Sequence, residues 1–104
     1  MKSSRHFAVA ALASLAAAFT VPAAFADLDD TEARQLRANG KALAEERVAE
    51  LALQKRPGRV VELELEREHG RLVYEVEVHD EAGKEWKLSL DAATGEVLAD
   101  AQDD

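Results

Sequence analysis

The 104-residue chain contains no cysteine, and this absence excludes several kinds of site. Without thiols the chain cannot form a disulfide framework, a thiolate zinc site, a cysteine nucleophile or a lipid-modified cysteine anchor. Basic residues are the minority, because 13 Lys and Arg stand against 21 Asp and Glu, for a net charge of −8. Naked nucleic acid and anionic membrane surfaces bind clustered positive charge, so neither is an expected partner. The length allows one small domain.

Long apolar runs are also scarce, and the one present lies near the N-terminus. Lys2 and Arg5 precede it, residues 7–20 form it, and Ala24-Phe25-Ala26 follows as an A-x-A site. This order predicts a secretory signal peptide over residues 1–26, with cleavage after Ala26. An uncleaved anchor is the alternative, but the run is shorter than the roughly 20 residues that span a bilayer. We therefore expect a periplasmic or secreted protein with no stable membrane insertion after cleavage.

Residues 27–42 form a polar N-terminal segment. Asp29 or Asp30 could cap a short helix through Ala38, which Asn39-Gly40 would end. A frayed tether is the alternative reading, and the sequence leaves both open.

The main helix is expected at residues 43–56, where apolar residues recur with helical spacing. The side that faces the core would consist of Ala44, Val48, Leu51, Ala52 and the stem of Lys55. Pro57 then stops the helix and Gly58 supplies the turn.

After Gly58 the apolar period changes from 3.6 to 2, which is typical of strands with one wet face. A two-residue turn at His69-Gly70 would pair Leu63 with Val76 and Val61 with Val78. A one-residue slip would place apolar residues opposite charged ones, so the alternation itself fixes this register.

A second hairpin is predicted with the three-residue loop 81–83, in which Gly83 takes the left-handed position. It pairs Val78 with Trp86 on the inner side and Glu77 with Lys87 on the outer side. Trp86 would pack on the helix near Val48 and Leu51.

The end of the chain reads as a turn over residues 91–96, a short strand from Val97 and Leu98, and an acidic disordered tail over residues 99–104. The fold class is therefore α+β, with one main helix packed on a three- to four-stranded antiparallel meander.

Residues 43–98 resemble the PepSY domain family. The resemblance rests on Arg56-Pro57-Gly58 after a helix, on the strand pattern through Val73-Tyr74-Glu75-Val76, and above all on the ending Leu90-Asp91-Ala92-Ala93-Thr94-Gly95-Glu96-Val97-Leu98. Leu90 stands where the family often has valine. The family motif then comprises Pro57, Gly58, Tyr74, Asp91, Thr94 and Gly95, and the resemblance implies structural roles for all six.

The resemblance implies a small non-catalytic module of exported or membrane-anchored bacterial proteins. Such domains occur in propeptides of thermolysin-type proteases, where they restrain the protease, and in periplasmic and cell-envelope proteins. A protein partner is therefore expected, either a peptidase that the module modulates or inhibits, or an envelope protein. The alternative is a sensory or accessory module of an envelope signalling or transport system.

The sequence itself supplies no catalytic constellation, so we expect no enzyme activity, no cofactor and no dedicated metal site. Ser89 and Thr94 are the plausible hydroxyls, and neither has the context of an activated nucleophile. His79 lies across from Glu85, with Asp80 and Glu81 beside it, which is compatible at most with weak divalent cation binding.

The outer sheet face carries the candidate partner-binding surface. Its members are glutamates that the first hairpin brings together: Glu62, Glu64, Glu66, Glu75 and Glu77. Two interpretations stay open. The face either keeps the protein soluble and prevents edge pairing, or it binds a positively charged partner, such as a basic protein surface or loosely held divalent cations.

Overall fold

The computed structural model describes residues 25–103. The predicted signal peptide lies outside these residues, apart from Phe25 and Ala26, which belong to the first strand. The elements within the described range are β1 (Phe25–Asp27), α1 (Asp30–Ala38), α2 (Glu45–Lys55), β2 (Arg59–Glu68), β3 (Arg71–His79), β4 (Glu85–Asp91) and β5 (Val97–Gln102). The strands form one antiparallel sheet in sequence order, which confirms the predicted α+β meander. Among these helices, none has the length and apolar character needed to cross a bilayer.

The N-terminal segment forms a real helix, α1, rather than a tether. The Asp29 side chain caps it by accepting a hydrogen bond from the Glu32 backbone N–H at 2.8 Å. Ala33 is buried, and Leu36 packs against the core. Gly40 then leaves the helix with a φ of +76°, a conformation that glycine adopts without strain.

Helix α2 begins two residues later than predicted and buries a narrower stripe. Val48 and Ala52 are fully buried, and Leu51 is half-buried. Ala44 and Lys55 were expected on the core side, but both are exposed. The late start accounts for Ala44, which is the N-cap residue with extended backbone dihedrals rather than a member of the first turn, and Lys55 is the last residue of the helix.

The first hairpin has the predicted turn, with φ values of +52° at His69 and +80° at Gly70. Two adjacent positive φ angles are typical of the tight turns that suit twisted strands. From Glu62 to Glu68 the register is as predicted. The expected pairing of Val61 with Val78 is wrong, because a bulge between residues 60 and 62 puts Val60 opposite Val78 and leaves Val61 37% exposed.

The second hairpin matches the prediction throughout. Val78 lies opposite Trp86, Glu77 opposite Lys87, and Gly83 has a φ of +84°. The Asp80 backbone N–H donates to the Lys84 carbonyl at 2.9 Å and closes the three-residue loop.

The predicted disordered tail is wrong from residue 99 to residue 102, because β5 continues to Gln102 against β4. Side-chain contact adds to the backbone pairing: Arg56 Nε donates to both Asp100 carboxylate oxygens at 3.1 Å. The Asp103 N–H donates to the Glu85 carbonyl at 2.7 Å and extends the pairing by one bond.

The core lies between the helices and one face of the sheet, here called the inner face. Its fully buried side chains are Val48, Ala52, Tyr74, Val76, Val78, Leu88, Leu90 and Ala92. Because successive strand residues alternate in direction, the predicted glutamates point to the opposite, outer face.

Candidate functional site

The hairpin register brings the predicted glutamates of the outer face together. Glu64 lies directly opposite Glu75, and Glu62 directly opposite Glu77. Glu66 lies two residues beyond Glu64 on β2, opposite Val73. With Lys87, the five glutamates line one shallow depression, here called the acidic face.

The acidic face holds five carboxylates and one ammonium group, so its charge is strongly negative. Lys87 Nζ lies 4.0 Å from Glu75 Oε1, although the strand register places Lys87 opposite Glu77. The Ser89 hydroxyl lies 3.4 Å from Glu75 Oε2. Like charges directly opposite one another destabilise a sheet, and Lys87 reduces the repulsion at Glu75. The arrangement suits a positively charged ligand.

The family motif at residues 91–96 is a turn organised by one carboxylate. Asp91 Oδ1 accepts from the backbone N–H groups of Ala93 and Thr94, each at 2.9 Å, and from the Thr94 hydroxyl at 3.1 Å. Asp91 Oδ2 accepts from Arg71 at 2.9 and 3.1 Å. The Thr94 N–H, followed by the Arg71 guanidinium, lowers the pKa of Asp91 to about 2. Thr94 and Asp91 therefore stabilise the turn, and neither is free to act as a nucleophile or base.

This turn fastens the segment that leads into α2. The Leu43 N–H donates to the Ala92 carbonyl at 2.8 Å, and the Leu43 carbonyl accepts from the Tyr74 hydroxyl at 2.6 Å. Arg37 Nε donates to the same hydroxyl at 2.8 Å, so the buried Tyr74 oxygen links α1, the α2 entry and the sheet.

The glycines of the motif allow close approaches that a side chain would block. A Cβ at Gly95 would overlap the Leu51 side chain, and Gly95 has a φ of +84°. A Cβ at Gly58 would collide with the backbone carbonyl of His79. Pro57 and Gly58 thus let the chain pass from α2 into β2 directly beside the end of β3.

Trp86 anchors a cluster at the C-terminal end of α2 that sequence reasoning did not identify. The Arg56 guanidinium carbon lies 3.4 Å from the Trp86 ring centroid, and Arg56 also pairs with Asp100. Trp86 Nε1 donates to Asp80 Oδ2 at 2.9 Å, and this bond is the main cause of a lowered pKa at Asp80. Trp86 is half-buried and packs against the margin of the core, and its contacts with Arg56 and Asp80 hold the ring in place.

The His79 ring has the predicted neighbour Glu85 and one that was not predicted, Glu77. Its Nε2 lies 3.4 Å from Glu77 Oε2 and 3.7 Å from Glu85 Oε2. Asp80 turns away, since its Oδ1 accepts from the Ala82 and Lys84 N–H groups. Glu77 and His79 are two residues apart on one strand, and alternate residues of a strand share a face. This spacing could have predicted the contact between them.

The chain matches the family model described as peptidase propeptide and YPEB domain, PepSY, over residues 42–101, which is more than half of its length. No curated protein and no solved structure gives a significant match. Domains of this family are generally non-catalytic modules, typically bind proteins, and are usually extracellular or periplasmic. Because this match covers more than half of the chain, the chain belongs to the PepSY family.

Proposed function

We propose that the chain is an exported binding module without catalytic activity, which modulates or inhibits a peptidase in the periplasm or cell envelope. The observation that carries the proposal is the family match over residues 42–101, because this family is associated with peptidase propeptides and regulators. The roles of the motif residues support it as well. Asp91, Thr94 and Tyr74 are engaged in hydrogen bonds that stabilise the fold, which leaves the surface to carry the function.

The acidic face is the surface that we assign to the partner. Glu62 and Glu64 are exposed, while Glu75 and Glu77 are half-buried and held close to them. A basic surface on the peptidase would relieve the repulsion between the opposed glutamates, and long-range attraction would speed the encounter.

The experiment measures peptidase activity in fractions of a cell-envelope extract, with and without the purified full chain. We expect the chain to slow hydrolysis of a casein substrate in at least one fraction. The double variant Glu64→Gln/Glu75→Gln should lose this effect. The matched double variant Glu46→Gln/Glu81→Gln removes the same charge from exposed positions off the acidic face and should keep it. Absence of any slowed fraction would refute the peptidase proposal.

A second candidate is a sensory or accessory module of an envelope signalling or transport system. The observation in its favour is the direct opposition of Glu64 to Glu75 and of Glu62 to Glu77, which a divalent cation would relieve. The melting temperature should then rise with millimolar calcium beyond the effect of sodium at equal ionic strength. The Glu64→Gln/Glu75→Gln variant should lose that difference, and equal effects of calcium and sodium would exclude this candidate.

A further inference from the structure

We propose that Glu77, His79 and Glu85 form a binding site for a divalent transition-metal ion of the zinc type. The three side chains lie at the loop end of the β3–β4 hairpin, where His79 and Glu85 are a directly opposed pair and Glu77 precedes His79 by two residues. One donor atom from each residue lies within 4.8 Å of the other two. The site shares Glu77 with the acidic face, but zinc binding can be measured without a peptidase and does not depend on the proposed peptidase function.

Two of the three separations between the donor atoms are close to those that a metal ion imposes on its ligands. His79 Nε2 lies 3.4 Å from Glu77 Oε2 and 3.7 Å from Glu85 Oε2. Both distances exceed the range of about 2.7–3.2 Å for good hydrogen bonds. Zinc bonds of about 2.0–2.2 Å at tetrahedral angles put neighbouring donor atoms roughly 3.3–3.6 Å apart. The third pair, Glu77 and Glu85, lies within 4.8 Å, so rotation of the side chains could bring all three donor atoms to one ion.

The donor set selects the class of ion. Calcium and magnesium favour shells made of oxygen atoms, whereas an imidazole nitrogen with carboxylates suits zinc and its first-row neighbours. Three protein donors leave a fourth position for water or for a group from a partner. The side chains of His79, Glu77 and Glu85 are 32%, 20% and 47% exposed, so an ion can enter from solvent.

The surrounding charges favour a cation. Glu77 belongs to the acidic face, with Glu62 opposite it on β2. Two basic residues flank the cluster: Arg59 lies opposite His79 and is exposed, and Lys87 lies opposite Glu77. The Lys87 ammonium group is drawn to Glu75 at 4.0 Å, while Glu77 Oε2 faces His79.

The test is calorimetric titration of the purified full chain with zinc chloride, together with the visible absorption of the cobalt(II) form. We expect one zinc ion to bind and cobalt to give the intense bands of four- or five-coordinate geometry. His79→Asn, Glu77→Gln and Glu85→Gln should each weaken zinc binding at least about tenfold, since even indirect ligand contacts contribute that much. These positions are partly exposed, so the variants should fold.

Two matched controls separate ligation from general electrostatics. Glu75→Gln removes the same charge as Glu77→Gln from the same strand and face, and His69→Asn removes a histidine from the turn between β2 and β3, at the opposite end of β3. Both should bind zinc much more tightly than the ligand variants. Zinc binding that survives His79→Asn, or equal losses in the Glu75 and Glu77 variants, would overturn the proposal.

Discussion

At the scale of single residues, Asp91 shows how one side chain can organise a turn. Its two carboxylate oxygens accept from two backbone N–H groups, one hydroxyl and one guanidinium. All these donors favour the ionised form, so the pKa of Asp91 falls to about 2, first because of the Thr94 N–H and then because of Arg71. A carboxylate held in this way orders the turn but cannot exchange protons near neutral pH.

The lowered pKa of Asp91 makes part of the stability depend on pH. A carboxyl whose pKa is lower in the folded state stabilises the fold above its unfolded pKa of about 3.9 and loses that contribution as the pH falls through the folded value. Allowing for solvent screening, the contribution should be about 1–2 kcal/mol. In urea unfolding, Asp91→Asn should therefore be less stable than wild type at pH 7 and nearly equal to it at pH 2. A constant difference across that range would contradict this explanation.

Tyr74 supplies a second residue-scale prediction. Its buried hydroxyl donates to the Leu43 carbonyl at 2.6 Å and accepts from Arg37. Tyr74→Phe keeps the ring but leaves the carbonyl without this donor, which should cost about 1–3 kcal/mol in the free energy of unfolding. Chemical denaturation measures this loss, and the exposed substitution Glu81→Gln serves as a control that should stay near wild type. A neutral Tyr74→Phe would mean that the hydroxyl does not hold the α2 entry in place.

At the scale of elements, the alternation of apolar and polar residues predicted most of the sheet. Side chains along a strand alternate with a period of two, and the turns between the strands are short. Leu63 with Val76 and Val78 with Trp86 followed from pairing apolar with apolar across the two turns. The bulge at Val61 could not be predicted, because an extra residue at the start of β2 leaves the downstream alternation unchanged. The length of β5 was missed because its last residues carry no apolar alternation and are held by backbone bonds and by Arg56 with Asp100.

The bulge gives a matched pair of substitutions at the element scale. Val61 is 37% exposed, whereas Val78 is fully buried opposite Trp86. Val→Thr keeps the shape and replaces a methyl group with a hydroxyl group, so Val61→Thr should change stability by less than about 0.5 kcal/mol. Val78→Thr buries that hydroxyl in the core and should cost about 1–3 kcal/mol. Thermal unfolding of the two variants checks this, and equal effects would mean that Val61 lies in the core after all.

For the candidate site, the sequence predicted which glutamates would face each other. It did not predict which lysine or histidine side chain each glutamate would contact. Lys87 was placed correctly opposite Glu77, yet its ammonium group lies near Glu75. Glu77 instead contacts His79, and Arg56 reaches both Trp86 and Asp100. Long flexible side chains can reach several nearby partners, so strand register alone does not determine such contacts.

At the scale of the whole molecule, export is a proposal with a simple test. Cleavage after Ala26 would remove Phe25 and Ala26, two of the three residues of β1, and would open the edge of β2 at Glu68 and Arg67. Mass spectrometry of the cell-envelope fraction should find a chain that begins at Asp27. An intact chain from Met1 in the cytoplasmic fraction would contradict export.

The two faces of the sheet differ in character. The inner face and its helices hold the core, and the outer face presents opposed glutamates at a cost in stability. Carboxylates that repel one another in the free protein would gain most from a basic partner. This is why we place the partner on the acidic face rather than on the exposed side of α2.

The most direct measurement is the rate of casein hydrolysis by envelope fractions in the presence of three forms of the chain. The wild type and the Glu46→Gln/Glu81→Gln control should slow the same fraction to the same extent, and the Glu64→Gln/Glu75→Gln variant should leave its rate unchanged. The inhibition should also weaken as salt is raised, because exposed charges are screened. Equal inhibition by all three forms, or no inhibition by any of them, would contradict the account.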